Sequence, residues 1–194
     1  MSASRPLEVD WVFLEQAIDD LQDYLLSPEL YWTLSGEFRS GKSASLPRLI
    51  LGNLLLSLKR LKAYPWEAAQ YRALNTLSDR IYSVRERWLH HWQEKVKREI
   101  PLRLSVWENY LNEVVEHGIS IAEYKYQVRS RVILSLLKNE GVVWKPAEIS
   151  RLELMDGLLT TLISPGPFIW EPELQNGFPK AEFPFLYVSL ERGA

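Results

Sequence analysis

Apolar residues recur at three- and four-residue steps along most of the chain, and that recurrence predicts a succession of helices. Leu14, Ala17, Ile18, Leu21 and Leu25 mark one face of a first helix, with Asp10 placed as its N-cap and Ser27 near its end. Pro28 suits the first turn of a short second helix over Leu30 to Leu34, closed by Gly36. Ser45 is placed to cap a third helix reaching about Lys62. Leucines surround most of that helix, so it should lie centrally, and Gly52 inside it costs about 1 kcal/mol relative to alanine. Pro65 opens the longest segment, Trp66 to Ile100, where Leu74, Leu77, Ile81, Val84, Trp88, Trp92 and Val96 keep one stripe. Helical throughout, it would span about 50 Å at 1.5 Å per residue. Pro101 should break or kink it.

Two capping boxes follow. Ser105 with Glu108 predicts a helix through Trp107, Tyr110, Leu111, Val114 and Val115, ended by Gly118. Ser120 with Glu123 predicts the next, carrying Tyr124, Val128, Val132, Leu136 and Leu137 and closed by Gly141. Pro146 starts a last long helix carrying Ile149, Leu152, Met155, Leu158, Leu159 and Leu162 to Ser164. The pattern then changes. SPGPFIWEPELQNGFPKAEFPFLYVSLERGA holds too much proline and glycine for a long helix and too many aromatics for disorder, so an ordered tail is expected with its rings in grooves. Phe185 to Leu190 could form a short strand, and a lone strand needs a partner, which another subunit could provide. The pattern thus describes an all-α protein, an irregular bundle of six or seven helices with one long central helix. The bundle should occupy 1–164, and the proline- and aromatic-rich tail 165–194 should pack on it or on a partner subunit.

Composition adds limits. The 194 residues suit one domain or a domain with an appendage, 46% of them are apolar, and 25% are charged, the balance of a soluble globular protein. With no cysteine, disulfides and thiolate metal sites are excluded, which fits a cytoplasmic setting. No apolar run reads as a membrane span or a secretory signal. The net charge of -2 is unevenly spread: 1–37 is acidic, 38–103 basic and 104–194 acidic. Such asymmetry offers either a basic face for a polyanion or the docking of an acidic first helix onto a basic middle.

One stretch names a chemistry. GEFRSGKS, Gly36 to Ser43, fits the pattern of a phosphate-binding loop. Its setting argues against one. Such a loop leaves a buried parallel strand and enters a helix at its Lys-Ser, so that free N–H groups face the phosphates. The preceding residues carry a helix start instead, Pro47 would obstruct a helix begun at Lys42, and no further core strands are legible. A looser role remains, in which Arg39, Lys42 and Arg48 present charge to an anion.

Elsewhere chemistry is sparse. Glu86, His90 and Glu94 form a helical ladder, but neither a Glu-x-x-His pair nor His-Glu-x-x-His is present, so no metal or other cofactor is expected. No nucleophile elbow occurs, and Asp19, Asp20 and Asp23 read as an exposed acidic flank. Lys97, Arg98 and Arg103, interleaved with aromatics, are the candidate contacts for nucleic acid. Trp11, Tyr31, Trp32, Phe168, Trp170, Phe183, Phe185 and Tyr187 are the candidate interface anchors. The expected function is a non-catalytic protein-protein interaction or assembly subunit, such as a homodimer, acting through the long helix and the tail. A nucleic-acid-binding helical protein and a nucleotide-binding enzyme are the alternatives. A pocket lined by Trp and Tyr could also take a small ligand without any motif.

Overall fold

A computed structural model describes residues 5–35 and 46–189. Seven α-helices account for most of them: α1 (Arg5–Leu26), α2 (Leu51–Ala63), α3 (Ala68–Arg87), α4 (Leu89–His117), α5 (Ile121–Gln127), α6 (Arg129–Lys138) and α7 (Pro146–Leu162). Two short strands, β1 (Ser164–Phe168) and β2 (Tyr187–Ser189), form the one sheet among the described residues. The protein is therefore all-α, an irregular assembly with one long helix, α4. Its contacts divide it into two compact units, Met1–Glu99 and Ile100–Ala194, and the dividing point lies inside α4.

In the first unit α1 packs on α2 and α3. The expected stripe of α1, from Leu14 to Leu25, is buried, as are Leu7 and Phe13. Asp10 does not cap α1, which starts five residues earlier. Its carboxylate is taken by α2: Ser57 Oγ donates to Oδ1 at 2.8 Å, and Arg60 Nε lies 3.3 Å from Oδ2. With that carboxylate turned into the core, the helix extends toward its N-terminus through Leu7. The acidic first helix and the basic middle thus meet at a buried ion pair, and at an exposed one from Arg80 to Asp19, 3.0 Å apart.

The short helix expected over Leu30 to Leu34 is absent. Trp32 instead forms an antiparallel bridge with Leu49, Trp32 N to Leu49 O at 2.9 Å and Leu49 N to Trp32 O at 2.8 Å. The carbonyls that such a helix would use are claimed by α4: Lys95 Nζ donates to those of Ser27 and Glu29, and Arg98 Nη1 to that of Pro28. Ser45, the expected cap of the next helix, lies outside the described residues. Leu46 to Ile50 are not helical, and α2 begins only at Leu51. Its N-cap residue, Ile50, has no side chain to offer, so fully buried Glu99 of α4 accepts from Gly52 N at 2.8 Å and supplies the missing acceptor.

The predicted spine from Trp66 to Ile100 is two helices. α3 ends at Arg87, because Trp88 after it, with φ of -117° and ψ of 34°, leaves the helical region, and α4 then continues unbroken through Pro101. Proline removes one backbone bond, that to the Lys97 carbonyl, at a cost of about 3 kcal/mol. Burial of Ile100, Leu104, Trp107 and Leu111 on one face of the helix outweighs it. Ser105 consequently caps nothing. Its hydroxyl donates to Pro101 O at 3.0 Å, while Glu108 is held by Arg151.

The second unit keeps more of the expected punctuation. Gly118 and Gly141 end their helices with φ of +87° and +72°, conformations that suit glycine. α5 and α6 follow one another through a single turn at Val128. Pro146 opens α7, and Glu148 accepts from Lys145 N at 2.8 Å. The tail folds back on itself. β1 pairs antiparallel with β2, Ser164 opposite Ser189 and Pro165 opposite Val188. The strand's partner thus lies in the same chain and not in another subunit. Gly166 permits this closure, because a Cβ there would overlap backbone atoms of Val188 and Ser189. Between the strands Phe178, Phe183 and Phe185 stack edge to face in a small aromatic core. Tyr124 OH donates to Phe185 O at 2.8 Å and ties α5 to the tail.

Candidate functional site

The stems of the motif-bearing stretch are fixed although Gly36 to Ser43, with Arg39 and Lys42, lies outside the described residues. Asp20 accepts from Ser35 N at 2.7 Å and from Ser35 Oγ, and the Trp32–Leu49 bridge pairs the two flanks. These flanks are antiparallel to each other, and helix α2 starts eight residues beyond Ser43. Neither feature matches the strand and helix between which a phosphate loop is strung. Arg48 is exposed on the returning stem, and its carbonyl accepts from Asn53 Nδ2.

The remaining candidates fall into separate places. Lys97 pairs with Glu94 at 2.8 Å, Arg98 reaches Pro28 O at 2.7 Å, and Arg103 is half-buried in the second unit. All three cations expected to meet nucleic acid therefore have partners within the chain. Among the aromatics, Trp11 donates to Glu15 and packs edge-on against Trp66, with 5.3 Å between ring centroids. Tyr31 is exposed, and Trp32 is half-buried with Nε1 lacking a partner. In the tail, Phe183 and Phe185 are buried. Trp170 donates to Lys125 O, Tyr187 donates to Phe178 O, and Phe168 packs on the Tyr187 ring. The tail's rings are thus largely used to hold its own unit together.

His90 and His91 are neighbours with ring centroids 5.7 Å apart, and among the described residues no three His, Asp or Glu side chains gather as metal ligands would. Lys95 is the most perturbed amine. Burial lowers its pKa to about 8, the direction expected of a catalytic lysine. Its ammonium, however, is filled by the carbonyls of Ser27 and Glu29, by Ser27 Oγ, and by the Tyr24 ring 4.3 Å away. It fastens the end of α1 and has no room for a substrate.

Two features of α7 were not singled out in the sequence. The first is its outer face. Ser150, Glu153, Leu154, Gly157, Leu158 and Thr161 line a shallow groove of about 600 Å³, and Leu154 is 76% exposed. The Thr160 and Thr161 hydroxyls donate back to the carbonyls of Gly157 and Leu158 at 2.7 and 2.8 Å, which leaves the face apolar. Gly157 needs no special backbone angle, and a Cβ there would meet nothing within 4 Å among the described residues. The signal was present: apolar residues surround α7, with Leu154 one turn before Leu158.

The second feature is a bidentate ion pair, Arg131 Nε and Nη2 to Asp156 Oδ1 and Oδ2 at 2.7 and 2.8 Å. Ser135 accepts a third bond from the guanidinium, which also lies 4.5 Å from the Phe185 ring centre. Clefts of about 330 and 450 Å³ open on either side of this pair. Spacing does not reveal it, because the partners sit on different helices. No protein-family model matches the sequence, and no curated protein or solved structure is significantly similar to it.

Proposed function

We propose that the protein is a non-catalytic assembly subunit that pairs with a second copy of itself through the outer face of α7. One observation carries the reading: a mid-helix glycine that no neighbour among the described residues requires, set in an apolar strip beside the exposed Leu154. Glycine there costs a helix about 1 kcal/mol relative to alanine. A closely approaching partner backbone would repay it. The groove residues are also self-complementary. In an antiparallel pair about a two-fold axis, Leu154 faces Gly157 of the other copy, Ser150 faces Thr161, and Glu153 faces Leu158, so every groove residue meets another and the two glutamates stay apart. With a single charged side chain, the strip carries no charge pattern that would select a different, charged partner.

Sedimentation velocity across a wide loading range tests this. Wild-type protein should form a dimer, and Leu154→Glu should be monomeric with unchanged helical circular dichroism. Gly157→Ala separates the cases further, since it should stabilise an unpartnered helix by about 0.5–1 kcal/mol yet weaken a dimer seamed there. A wild-type monomer at every loading, or a dimer indifferent to both changes, refutes the proposal.

A further inference from the structure

We infer that the smaller of the two clefts, between the last turns of α7 and the β1–β2 hairpin, binds a small apolar carboxylate. Its volume of about 330 Å³ lies at the lower end of the roughly 300–1,000 Å³ typical of small-molecule sites. Leu159, Ile163, Pro165, Phe185 and Val188 give it an apolar body. The polar side chains on its wall are mostly engaged. Arg131 and Asp156 neutralise each other, Thr160 donates to Gly157 O, and Tyr187 donates to Phe178 O.

Lys180 differs from them. It is exposed at the rim and, among the described residues, is the one charged group of the lining with neither an ion pair nor a hydrogen bond. Its flexible stem lets the ammonium sit over the opening. An apolar cleft with one uncompensated cation at its mouth calls for a ligand with an apolar body and a single anionic head. The larger cleft lacks this bias, because Glu153 and Glu182 accompany Lys138 in its lining.

Octanoate is the probe, with 1-octanol as its uncharged counterpart, titrated into the full chain by calorimetry. Octanoate should saturate at one per chain and bind more tightly than 1-octanol. Lys180→Gln should weaken octanoate about fivefold, near the upper limit for one exposed ion pair, and leave 1-octanol unchanged. Thr160→Trp, at an exposed helical position facing the cleft, should abolish both with helicity intact. Absence of saturable octanoate binding, equal affinity for the two probes, or indifference to Lys180→Gln overturns the assignment. The site does not depend on self-association: Leu154→Glu should bind octanoate normally, so either proposal can fail without the other.

Discussion

Breaking the pair between Asp10 and Arg60 should cost far more than the pair itself contributes. The two side chains are 6% and 8% exposed, and Arg60 Nε lies 3.3 Å from Asp10 Oδ2 without the alignment of a hydrogen bond. At an effective dielectric of about 20, that separation gives a gross attraction of about 5 kcal/mol. Desolvation of each ion costs several kcal/mol, so the intact pair nearly breaks even. Removing one member deprives the other buried charge of this partner. Asp10→Asn and Arg60→Met should therefore each destabilise by about 3 kcal/mol, the low end for a buried pair, since the contact lacks hydrogen-bond alignment. With a urea dependence of about 1–3 kcal/mol per molar, each should lower the denaturation midpoint by about 1–3 M. The combined change Asp10→Leu, Arg60→Met and Ser57→Ala should come closer to wild type than the sum of the single changes, because the three groups that bond one another are then replaced together. Urea titrations followed by far-ultraviolet circular dichroism measure all three. Single variants that each cost under about 1 kcal/mol, or a combined variant as poor as their sum, would refute the reasoning.

Two other outcomes test the interior. The Lys95 ammonium is held at a pKa of about 8 by burial, below its ordinary 10.5, so between these values the unfolded chain binds more protons and stability should rise with pH. Burial raises the Tyr110 and Tyr124 hydroxyls instead, so above about pH 10 the unfolded chain ionises first and stability should fall. Burial lowers the Lys62 amine too, so urea midpoints taken from pH 7.5 to 9.5 should climb in wild type and climb less in Lys95→Met; a level wild type contradicts the assignment. Gly166→Ala should destabilise the hairpin by about 3 kcal/mol, read as a lower melting temperature and faster amide exchange in β2, and unchanged exchange would count against the close approach at Val188.

Helix identity was legible where the cue is local and uncontested. Leu14 to Leu25, Gly118, Gly141 and Pro146 act through their own turn, and each holds the predicted place. Cues failed where a distant residue claims the same group. Asp10 and Ser105 have capping chemistry, but Arg60 and the Pro101 carbonyl compete for them. The helix expected after Pro28 lost its carbonyls to Lys95 and Arg98, sixty-six to seventy residues away. Pro101 reads as a break or kink because its local cost is visible in the sequence and the burial of Ile100 and Leu104 beside it is not. The candidate surface escaped for a related reason. Leu154 is one leucine among many on α7, and only packing reveals which of them is left outside. Lys180 likewise becomes notable only once Arg131 is seen to satisfy Asp156.

The anchored stems at Trp32 and Leu49 have a consequence for the stretch they enclose. Separating two paired stems by a longer stretch costs little, about 0.6 kcal/mol for each doubling. The two backbone bonds between Trp32 and Leu49 therefore set little limit on how many residues lie between them, and insertions there should be tolerated while α1 keeps its packing on α2.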